Sequence, residues 1–405
     1  MKVLVVTQYF WPENFRINDL CEGLIEKGHE VTVYTGMPNY PEGELFKGYS
    51  FKGPYREKKG KIEVIRSPLI TRGKRKSLKL ALNFLSFSVF ATLLAPFVVK
   101  GKFDKIFIYA PTPITVAIPG LFLKFIKKAP VFFWVADLWP ESLEATGVVR
   151  NKKILTVVAG MVRILYRFSN KILVTSKGFI PRVKALGGKD NQIVYFPQWA
   201  EDLFVSSFDQ NFIDERVPKF GFKIMFAGNI GTSQDFETIV NAAVLLKDHK
   251  DIFFIILGSG LKKEWAENEI IKVGLQENFI FLGNKPIEQM PTYYSMADIM
   301  LLALTNTDLF SITVPAKLQS YLASGKPVLA SVNGEAANIV TECGAGISVP
   351  AGFPDQMSKA ILDLKNMSKE EISQLGKNAR NCYEMNFKRS VLIERLEQIM
   401  SAEKY

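Results

Sequence analysis

The sequence predicts an α/β protein made of two doubly wound domains in series. Its 405 residues exceed what one hydrophobic core usually supports, so two domains of about 200 residues are expected. Short apolar runs rich in β-branched residues alternate with longer amphipathic stretches, which is typical of parallel sheets with helical crossovers. The alternation stops at a polar, irregular stretch from 198 to 219 and then restarts. We therefore expect an N-terminal domain at 1–200 and a C-terminal domain at 201–383.

The N-terminal half opens on a buried strand. The apolar run at 2–7 is too short for a signal peptide, and no small-residue cleavage site follows it. Helical periodicity occurs at Ile17–Lys27 and again at Ile154–Phe168. Around these helices the pattern predicts strands at Lys2–Thr7, Glu30–Tyr34, Ile62–Arg66, Lys105–Tyr109, Val131–Ala136, Lys171–Thr175 and Gln192–Phe196.

One longer apolar stretch, Leu78 to Val99, requires a choice between a membrane span and a packed helix. It is long enough to span a bilayer, and it follows the basic sequence RGKRK at 72–76. Lys79 and Asn83 lie inside it and Pro96 interrupts it, which disfavours a span. The residues favour a core helix with a basic, membrane-facing leading segment.

The C-terminal half repeats the α/β pattern, and its turns are rich in glycine. We expect strands at Lys223–Ala227, Ile252–Leu257, Phe279–Leu282, Ile299–Ala303 and Pro327–Ser331, with a closing helix at 384–400. Glycine-bearing turns follow four strands, as FAGNIGTSQ (226–234), ILGSGL (256–261), FLGNKP (281–286) and ASVNGE (330–335). Glycine lets a backbone approach a phosphate closely, and the next helix offers free N–H donors. Four such turns in one domain indicate a phosphate-binding edge, although none matches a dinucleotide or P-loop fingerprint.

A short helix within 314–327 raises an electrostatic question. The segment VPAKLQSYLASGKP opens at Pro315 and ends at Gly325 and Pro327. Lys317 therefore lies in the first turn, where the positive end of the helix dipole disfavours a cation. Either the lysine side chain extends into solvent, or it binds an anion.

Composition restricts the class of protein and its compartment. The formal net charge of +11 fits a phosphate-bearing partner, an anionic membrane surface or simple solubility. Cys21, Cys343 and Cys382 are widely spaced and outside any CxxC pattern, so neither a disulfide framework nor a zinc site is indicated and a reducing cytoplasm fits best. His29 and His249 are both interpreted as structural. No DxD sequence occurs, so ligands for a metal-held diphosphate are lacking and we expect no metal. No cofactor is expected either.

Several segments resemble one enzyme family, in order along nearly the whole chain. They are TQYFWPEN (7–14), KGHEVTVYT (27–35), FWVADLWPESLEATG (133–147), AGNIGTSQ (227–234) and VPAKLQSYLASGKPVL (314–329). With them the chain resembles the retaining glycosyltransferases of family 4, and most of all the bacterial L-fucosamine-type branch of O-antigen and capsule assembly. DLWPES and PAKLQSYLA are the most specific of these matches, whereas GHEVT is generic to the fold.

The resemblance implies the GT-B fold, in which two Rossmann-like, doubly wound α/β domains face each other across a cleft. The N-terminal domain would bind the acceptor and the C-terminal domain the nucleotide-sugar, and a helix at 384–405 would pack back on the N-terminal domain. Lys317 would meet the donor diphosphate, which answers the electrostatic question. Expected nucleotide-sugar-binding residues are Gly228, Asn229, Gly231, Gln234, Gly258, Lys285, Pro286, Ser311, Lys317 and Ser320.

Acceptor-binding and catalytic roles are inferred for a second group of residues. Acceptor binding is expected of Asn14, Arg16, Asp137 and Glu141, and catalytic roles of Lys317, Asp137 and Glu13. Asp137 either positions the acceptor and its proton or caps a helix. Arg16 either reaches the phosphates or remains solvated.

The chain departs from the broad family pattern at several positions. The family's Glu-x7-Glu pair would fall at Ile312 and Ser320, so a Ser320 hydroxyl or a carboxylate from elsewhere would replace the ribose clamp. An Arg and a Lys after the first strand of the second domain correspond to Asn229 and Gln234, and an acceptor-side His corresponds to Ala136.

The expected reaction is metal-independent transfer of a sugar, such as N-acetyl-L-fucosamine, from a UDP-sugar to a polyprenyl-diphosphate-linked saccharide with retention of configuration. Alternatives are a non-catalytic partner subunit of the same fold and a nucleotide-sugar epimerase. We expect a protein peripheral on the cytoplasmic face of the inner membrane, held by salt-sensitive contacts of its basic segment. No nucleic-acid partner is expected.

Overall fold

A computed structural model of the chain describes residues 1–73, 77–145, 147, 149–205, 212 and 214–403. Two compact units form: unit 1 comprises Met1–Pro197 and Leu392–Tyr405, and unit 2 comprises Gln198–Val391. The boundaries expected from the sequence, at 200 and 383, compare with 197 and 391 in the structure. Within the predicted basic segment, Lys74, Arg75 and Lys76 lie outside the described residues.

Unit 1 is built on a sheet of β1 (Lys2–Val6), β2 (Glu30–Gly36), β3 (Arg56–Lys59), β4 (Ile62–Ser67), β5 (Lys105–Ala110), β6 (Val131–Val135), β7 (Lys171–Val174) and β8 (Ile193–Tyr195). The strand order is β3-β4-β2-β1-β5-β6-β7-β8. β3 pairs antiparallel with β4, and the other described pairs are parallel. The chain adds strands on one side of β1 and then on the other, so the topological switch point lies between β1 and β5.

The central strands of unit 1 are buried on both faces. Val3–Val6 and Val131–Val135 have no exposed surface. A parallel sheet covered by helices on both sides requires such continuous apolar runs, which is why the sequence predicts these strands well. Each strand predicted for this half is present, with ends shifted by one or two residues, whereas β3 is not predicted.

The helices of unit 1 are α1 (Arg16–Glu26), α2 (Ser77–Val98), α3 (Ala117–Lys127), α4 (Glu141–Ala145), α5 (Lys152–Phe168) and α6 (Phe179–Ala185), with a 3-10 turn at Ile114–Val116. α2 corresponds to the long apolar stretch. Among the described helices it alone is long and apolar enough to cross a membrane, judged by length and composition. One face of α2 is buried and the other is exposed, so the prediction of a core helix is wrong.

Unit 2 contains a second parallel sheet of β9 (Phe222–Ala227), β10 (Ile252–Leu257), β11 (Phe279–Gly283), β12 (Ile299–Ala303), β13 (Val328–Ser331) and β14 (Gly346–Val349). Its order is β11-β10-β9-β12-β13-β14, the doubly wound order of a dinucleotide-binding sheet. The switch point lies between β9 and β12. All strands predicted for this half are present, and β14 is an addition.

The helices of unit 2 are α7 (Phe236–Leu245), α8 (Lys263–Lys272), α9 (Met290–Ser295), α10 (Asp308–Ser311), α11 (Ala316–Ala323), α12 (Glu335–Glu342), α13 (Pro354–Asn366) and α14 (Lys369–Asn386), with 3-10 turns at Asp202–Phe204 and Ile287–Gln289. The predicted closing helix is divided between α14 and α15 (Arg389–Ala402). From Leu392 onward α15 belongs to unit 1. There Glu397 Oε1 lies 3.1 Å from His29 Nε2, which agrees with a structural role for this histidine.

One expectation about the cysteines is wrong. The structure joins Cys343 and Cys382 in a disulfide, with their Cα atoms 5.8 Å apart, whereas Cys21 is free and buried. Thirty-nine positions separate the paired cysteines in the sequence, so spacing alone gave no indication that α12 and α14 bring them together.

Candidate active site

Three glycine turns of unit 2 meet at the carboxyl ends of β9, β10 and β11. Gly228 N donates to Leu257 O and Gly258 N donates to Gly283 O, each at 2.9 Å. The φ angles of Gly228 and Gly258 are 137° and 126°, a region that L side chains rarely adopt. A Cβ on Gly258 would lie 1.9 Å from Gly228 O, so these two turns can touch only because Gly258 has no side chain.

The same turns line a cavity of about 320 Å³ in unit 2. Its walls are Gly228, Asn229, Leu257, Gly258, Ser259, Asn284, Lys285 and Met290. Four residues predicted to bind the nucleotide-sugar are thereby brought together at one edge of the sheet. This edge is the position at which doubly wound sheets usually bind ligands.

Lys317 reaches the first of these turns from α11. Its Nζ lies 4.1 Å from the centroid of the Phe226 ring, and a Cβ added to Gly228 would be 3.3 Å from that nitrogen. The side chain is partly exposed as a whole, but its Nζ is buried and has no hydrogen-bond partner among the described residues. Burial lowers the pKa of Lys317 to about 7. The glycine turn therefore lies beside a buried cation that has no polar partner among the described residues.

Two polar side chains of the β9–α7 turn contact each other. Gln234 Oε1 accepts a hydrogen bond from Gly231 N at 3.0 Å and lies 3.4 Å from Asn229 Nδ2. The three residues were predicted as one part of the donor site, and the structure brings them together. The side-chain amides of Asn229 and Gln234 offer hydrogen-bond donors and acceptors at the two positions where the broad family pattern has cations.

Lys285, in the turn after β11, already has charged and aromatic neighbours. Its Nζ lies 3.8 Å from Asp214 Oδ2 and 5.1 Å from the centroid of the Tyr293 ring. The hydrogen bond from Arg216 holds the pKa of Asp214 well below its usual range, so this carboxylate is charged at neutral pH. Pro286 follows Lys285 and starts the 3-10 turn before α9.

The two predicted serine contacts differ in exposure. Ser311 is partly exposed, and its Oγ donates to Asp308 O at 2.8 Å within α10. Its carbonyl oxygen packs against Gly334, where a Cβ would come within 2.0 Å. Ser320 is buried, and its Oγ donates to Lys317 O at 2.9 Å. The hydroxyl of Ser320 is thus occupied by its own helix, and its proposed contact with ribose stays a prediction.

Unit 1 has a cavity of similar size, about 330 Å³, at the switch point of its own sheet. It is lined by Tyr9, Phe15, Tyr40, Arg72, Leu80, Phe84, Pro111, Thr112, Asp137, Trp139, Ser142 and Leu143. The rings of Tyr9 and Phe15 stack with centroids 4.8 Å apart, and Tyr40 lies 5.1 Å from Phe15. The Arg72 guanidinium carbon lies 4.8 Å from the centre of the Tyr40 ring. A flat aromatic wall with one cation suits a sugar ring or a phosphate.

Asp137 is the carboxylate of this cavity. Thr112 Oγ1 donates to its Oδ2 at 2.5 Å, and Ser142 Oγ donates to its Oδ1. Burial raises the pKa of Asp137, while these hydrogen bonds oppose the rise. The bond from Ser142 ties Asp137 to α4 through two side chains, and Asp137 also faces the cavity. Its two predicted roles, a helix cap and an acceptor contact, stay predictions.

Glu13 does not line the cavity, in contrast to the catalytic role predicted for it. Its side chain is 1% exposed, and its carboxylate accepts hydrogen bonds from three backbone N–H groups, those of Phe10, Asn39 and Tyr40, at 3.2, 2.8 and 2.7 Å. The pKa of Glu13 is raised to about 7, because burial raises it by more than the three N–H donors lower it. The residue joins the loop after β1 to the loop after β2, which is a positioning role.

The remaining predicted acceptor residues lie around the cavity rather than in its wall. Asn14 is exposed, and Arg16 begins α1. Burial raises the pKa of Tyr109 to about 12, and the charge of Arg16 opposes this rise. The guanidinium of Arg16 therefore lies near the Tyr109 ring. Glu141 begins α4, and its Oε2 is buried with no hydrogen-bond partner among the described residues. Of the four residues predicted to bind the acceptor, the structure places Asp137 in the cavity wall.

Two family profiles match consecutive parts of the chain. The profile "Glycosyl transferase 4-like domain" matches residues 14–199, and "Glycosyl transferases group 1" matches residues 207–382. Together they span nearly the whole chain, from α1 to α14. The chain belongs to the group 1, family 4-like glycosyltransferases. It is therefore a glycosyltransferase.

Relatives of this glycosyltransferase are bacterial glycosyltransferases. WcaI of Escherichia coli (strain K12), a glycosyl transferase assigned to colanic acid biosynthesis, is 25% identical over 338 residues, which cover 80% of this chain and 82% of WcaI. WbjE of Pseudomonas aeruginosa, also named as a glycosyltransferase, is 24% identical over 285 residues, which cover 67% of this chain and 68% of WbjE. The L-fucosamine-type branch is not singled out by these matches.

The fold of this glycosyltransferase matches that of solved structures. Anabaena Alr3699/HepE in complex with UDP aligns over 100% of both chains with a TM-score of 0.69 and 14% identity. At this level of identity the likeness concerns the fold alone. The predicted fold class is confirmed: the glycosyltransferase has the GT-B fold with two Rossmann-like α/β domains.

Sequence reasoning missed part of each cavity. Arg72 and Tyr40 lie outside the segments that carry the family resemblance, and they reach the cavity only through folding. Phe226 directly precedes the first glycine turn, but nothing in the sequence indicates that its ring lies beneath Lys317. No group of three His, Cys, Asp or Glu side chains that could hold a metal ion occurs among the described residues. Metal independence of the glycosyltransferase stays a prediction.

Proposed function

We propose that this glycosyltransferase moves a sugar from a UDP-sugar to a lipid-linked saccharide during synthesis of a bacterial surface polysaccharide. One observation carries the proposal: Lys317 Nζ is buried beside the Gly228 turn and has no hydrogen-bond partner among the described residues. An unpaired buried cation is costly, and an anion at the glycine turn removes that cost. A structurally similar protein, Anabaena Alr3699/HepE, was solved with UDP, which supports a nucleotide diphosphate as this anion.

On the donor side, the diphosphate would bind at the carboxyl ends of β9 and β10. Gly228 and Gly258 allow close approach of the backbone, and Lys317 supplies the charge that stabilises the leaving UDP. Asn229 and Gln234 would contact the diphosphate through neutral amides, because they replace the two cations of the broad family pattern. All of the residues in this proposed donor site belong to unit 2.

On the acceptor side, the cavity of unit 1 would hold the saccharide acceptor. Aromatic rings such as those of Tyr9 and Phe15 present flat apolar faces, which suit the faces of sugar rings. Arg72 would bind a phosphate of the lipid carrier. Asp137, fixed by Thr112, would orient the attacking hydroxyl.

The finer assignments are part of the same proposal. A polyprenyl diphosphate is proposed as the lipid carrier, and the cytoplasmic face of the inner membrane as the location. An N-acetyl-L-fucosamine-type donor and an O-antigen or capsule product follow from the sequence resemblance, and the naming of WcaI for colanic acid biosynthesis supports a surface polysaccharide in general. Transfer is proposed to retain configuration and to require no metal.

The test is transfer by the purified chain. Labelled UDP-sugars are supplied with and without a polyprenyl-diphosphate-linked saccharide, in EDTA and in Mg²⁺. Acceptor-dependent labelling of the lipid in EDTA supports the proposal, and loss of transfer in EDTA that Mg²⁺ restores contradicts metal independence. Sugar isomerisation without acceptor would instead support an epimerase. If no UDP-sugar is consumed while the folded chain still binds UDP, a non-catalytic partner subunit becomes the better explanation.

A further inference from the structure

α2 has an unusual distribution of side chains for a helix packed on a domain. Its exposed residues Leu78, Leu82, Leu85, Val89, Leu93 and Phe97 recur every three or four positions, with exposures between 40% and 73%. They form one continuous apolar stripe along a helix of 22 residues. The surface helix of a water-soluble domain normally presents polar residues on this side.

The face of α2 that points into unit 1 carries the polar groups instead. Asn83 Nδ2 donates to Ile70 O at 2.7 Å, and its Oδ1 accepts from Gln8 Nε2 at 2.7 Å. Ser88 Oγ donates to Thr115 O at 3.1 Å. α2 is therefore apolar on its exposed face, while its buried face combines these polar groups with Phe87, Ala91 and Ala95. Because these bonds hold successive turns of the helix on the domain, they oppose a transmembrane orientation.

The apolar surface extends from α2 onto its neighbours. α3 packs against both α2 and α5. On α3, Phe125 is 55% exposed and meets Phe168 of α5 edge to face, with centroids 5.8 Å apart. Further exposed apolar residues of these two helices are Phe122, Ile126, Ile154, Val157 and Ile164. Contiguous exposed apolar surface of this extent marks an interaction site.

Charge indicates what covers this surface. The chain contains 40 Asp and Glu, yet none lies at 64–103, 105–136 or 145–189, the segments that include α2, α3 and α5. The same helices carry the basic residues Lys79, Lys124, Lys127, Lys152, Lys153, Arg163 and Arg167. A surface that is apolar and basic, with no acidic residue, complements a bilayer that contains anionic lipids.

We propose that the exposed face of α2, α3 and α5, here called the three-helix surface, inserts into one leaflet of an anionic lipid bilayer. The inserted side chains enter the boundary between head groups and acyl chains, and the Lys and Arg side chains remain among the head groups. Insertion rests on apolar burial, which salt does not screen, so attachment persists at ionic strength that would release a purely electrostatic contact. This differs from the salt-sensitive docking expected from the sequence.

The inference deepens the membrane location proposed above and rests on it. The three-helix surface adjoins the acceptor cavity through α2. Leu80 and Phe84 of this helix line the cavity, while Leu82 and Leu85 belong to the three-helix surface. One helix thus borders both the bilayer and the cavity in which the acceptor is proposed to bind. A lipid-linked saccharide would reach the cavity without leaving the membrane surface.

The test is flotation of the purified full-length chain with protein-free vesicles, without donor or acceptor. Vesicles of phosphatidylcholine are compared with vesicles that also contain phosphatidylglycerol, each at low and high salt. We expect the chain to float with the mixed vesicles and to remain on them at high salt. The double variant Leu85→Glu/Leu93→Glu should lower the partition coefficient at least about tenfold, because charged side chains are costly in the apolar layer.

The matched control is Ile271→Glu/Met385→Glu, which places the same charges at apolar positions of unit 2 that are 61% and 71% exposed. It should float like the unmodified chain, and circular dichroism should show all three proteins folded. Release of the unmodified chain by salt alone, or equal flotation of both double variants, would overturn insertion. Insertion would also be overturned if vesicles do not bind the chain and the chain instead forms a dimer without lipid that Leu85→Glu/Leu93→Glu dissociates. Vesicle binding without sugar transfer would count against the proposed function and leave this inference standing.

Discussion

At Lys317 a positive charge is held in an environment that disfavours it. Its Nζ contacts the face of the Phe226 ring at 4.1 Å, and a cation over an aromatic ring recovers part of the cost of desolvation. It does not recover all of it, since burial still lowers the pKa of the lysine to about 7. The residue therefore favours binding of an anion at the cost of stability in the unliganded protein.

The first prediction separates these two effects with Lys317→Met, which keeps the length of the side chain and removes the charge. UDP binding should weaken by about 1.5–3 kcal/mol, the range for a hydrogen bond to a charged group. The melting temperature without ligand should rise at pH 6, because an unpaired buried charge is lost. Calorimetry and thermal denaturation measure the two quantities. If UDP affinity is unchanged in the folded variant, Lys317 does not bind the diphosphate.

The second prediction is a pH dependence of UDP binding. Lys317 has a pKa of about 7 in the free protein, and a bound diphosphate would raise it. Binding should therefore take up a proton above pH 7, so that UDP affinity falls as the pH rises from 7 towards 9. UDP itself is fully ionised in this range, since the second pKa of a phosphate is about 6. Calorimetry in two buffers of different ionisation enthalpy measures the uptake, and Lys317→Met should abolish it. Equal uptake by the variant would assign the proton to another group.

At the scale of elements, the glycine turns show which part of the site the sequence can specify. Strands followed by glycine and a helix can be recognised locally, and the carboxyl ends of parallel strands necessarily meet at one edge. The position of Lys317 over Phe226 and the hydrogen bonds of Glu13 to residues 39 and 40 depend on packing between distant segments. Local patterns cannot reveal such contacts, which is why the sequence assigned Glu13 to catalysis.

The two strands that the sequence missed lie at sheet edges, as do β8 and β11, whose more apolar sequences were predicted. β3 and β14 are edge strands of their sheets, and neither is fully buried along its length. An edge strand exposes one side to solvent, so it does not require the continuous apolar run that identifies a central strand. β3 reads REKK, which is a polar sequence suited to a sheet edge.

The third prediction concerns the contact between two turns. Gly258→Ala places a Cβ 1.9 Å from Gly228 O, a backbone atom that cannot move independently. The matched control is Gly274→Ala, where φ is 72° and no atom lies within 4 Å of the new Cβ. The control should lose about 1 kcal/mol from backbone strain, and Gly258→Ala should lose at least about 2 kcal/mol more and bind UDP weakly. Urea denaturation and UDP titration of both variants provide the comparison. Equal losses would show that the turns do not need to touch.

At the scale of the whole molecule, the chain uses one sheet topology twice for different purposes. Each unit has its switch point beside its first strand; the cavity of unit 1 lies at that point, and the cavity of unit 2 lies next to it, at the carboxyl ends of β9, β10 and β11. In unit 2 the turns are made of glycine and leave the backbone accessible, which suits a diphosphate. In unit 1 the corresponding loops carry aromatic rings and Asp137, which suits a saccharide. Under the proposed function, the fold would fix where donor and acceptor bind, and the loop residues would select which ligand each unit takes.

The last prediction is stereochemical and follows from the groups that each unit provides. Inversion at the anomeric carbon requires a base opposite the leaving group that removes the proton of the acceptor hydroxyl. The predicted candidate, Glu13, is 1% exposed, and its carboxylate is occupied by three backbone N–H groups. In a front-face reaction the departing phosphate oxygen accepts that proton, while Lys317 stabilises the negative charge. The product should therefore keep the anomeric configuration of the donor, and NMR of the new linkage measures this.

Glu13→Gln should lower the melting temperature of unit 1, because an amide cannot accept from all three donors, but should reduce kcat of the folded enzyme less than Lys317→Ala does. An inverted linkage, with Glu13→Gln folded and inactive, would instead make Glu13 the base and require the loop after β1 to open during the reaction.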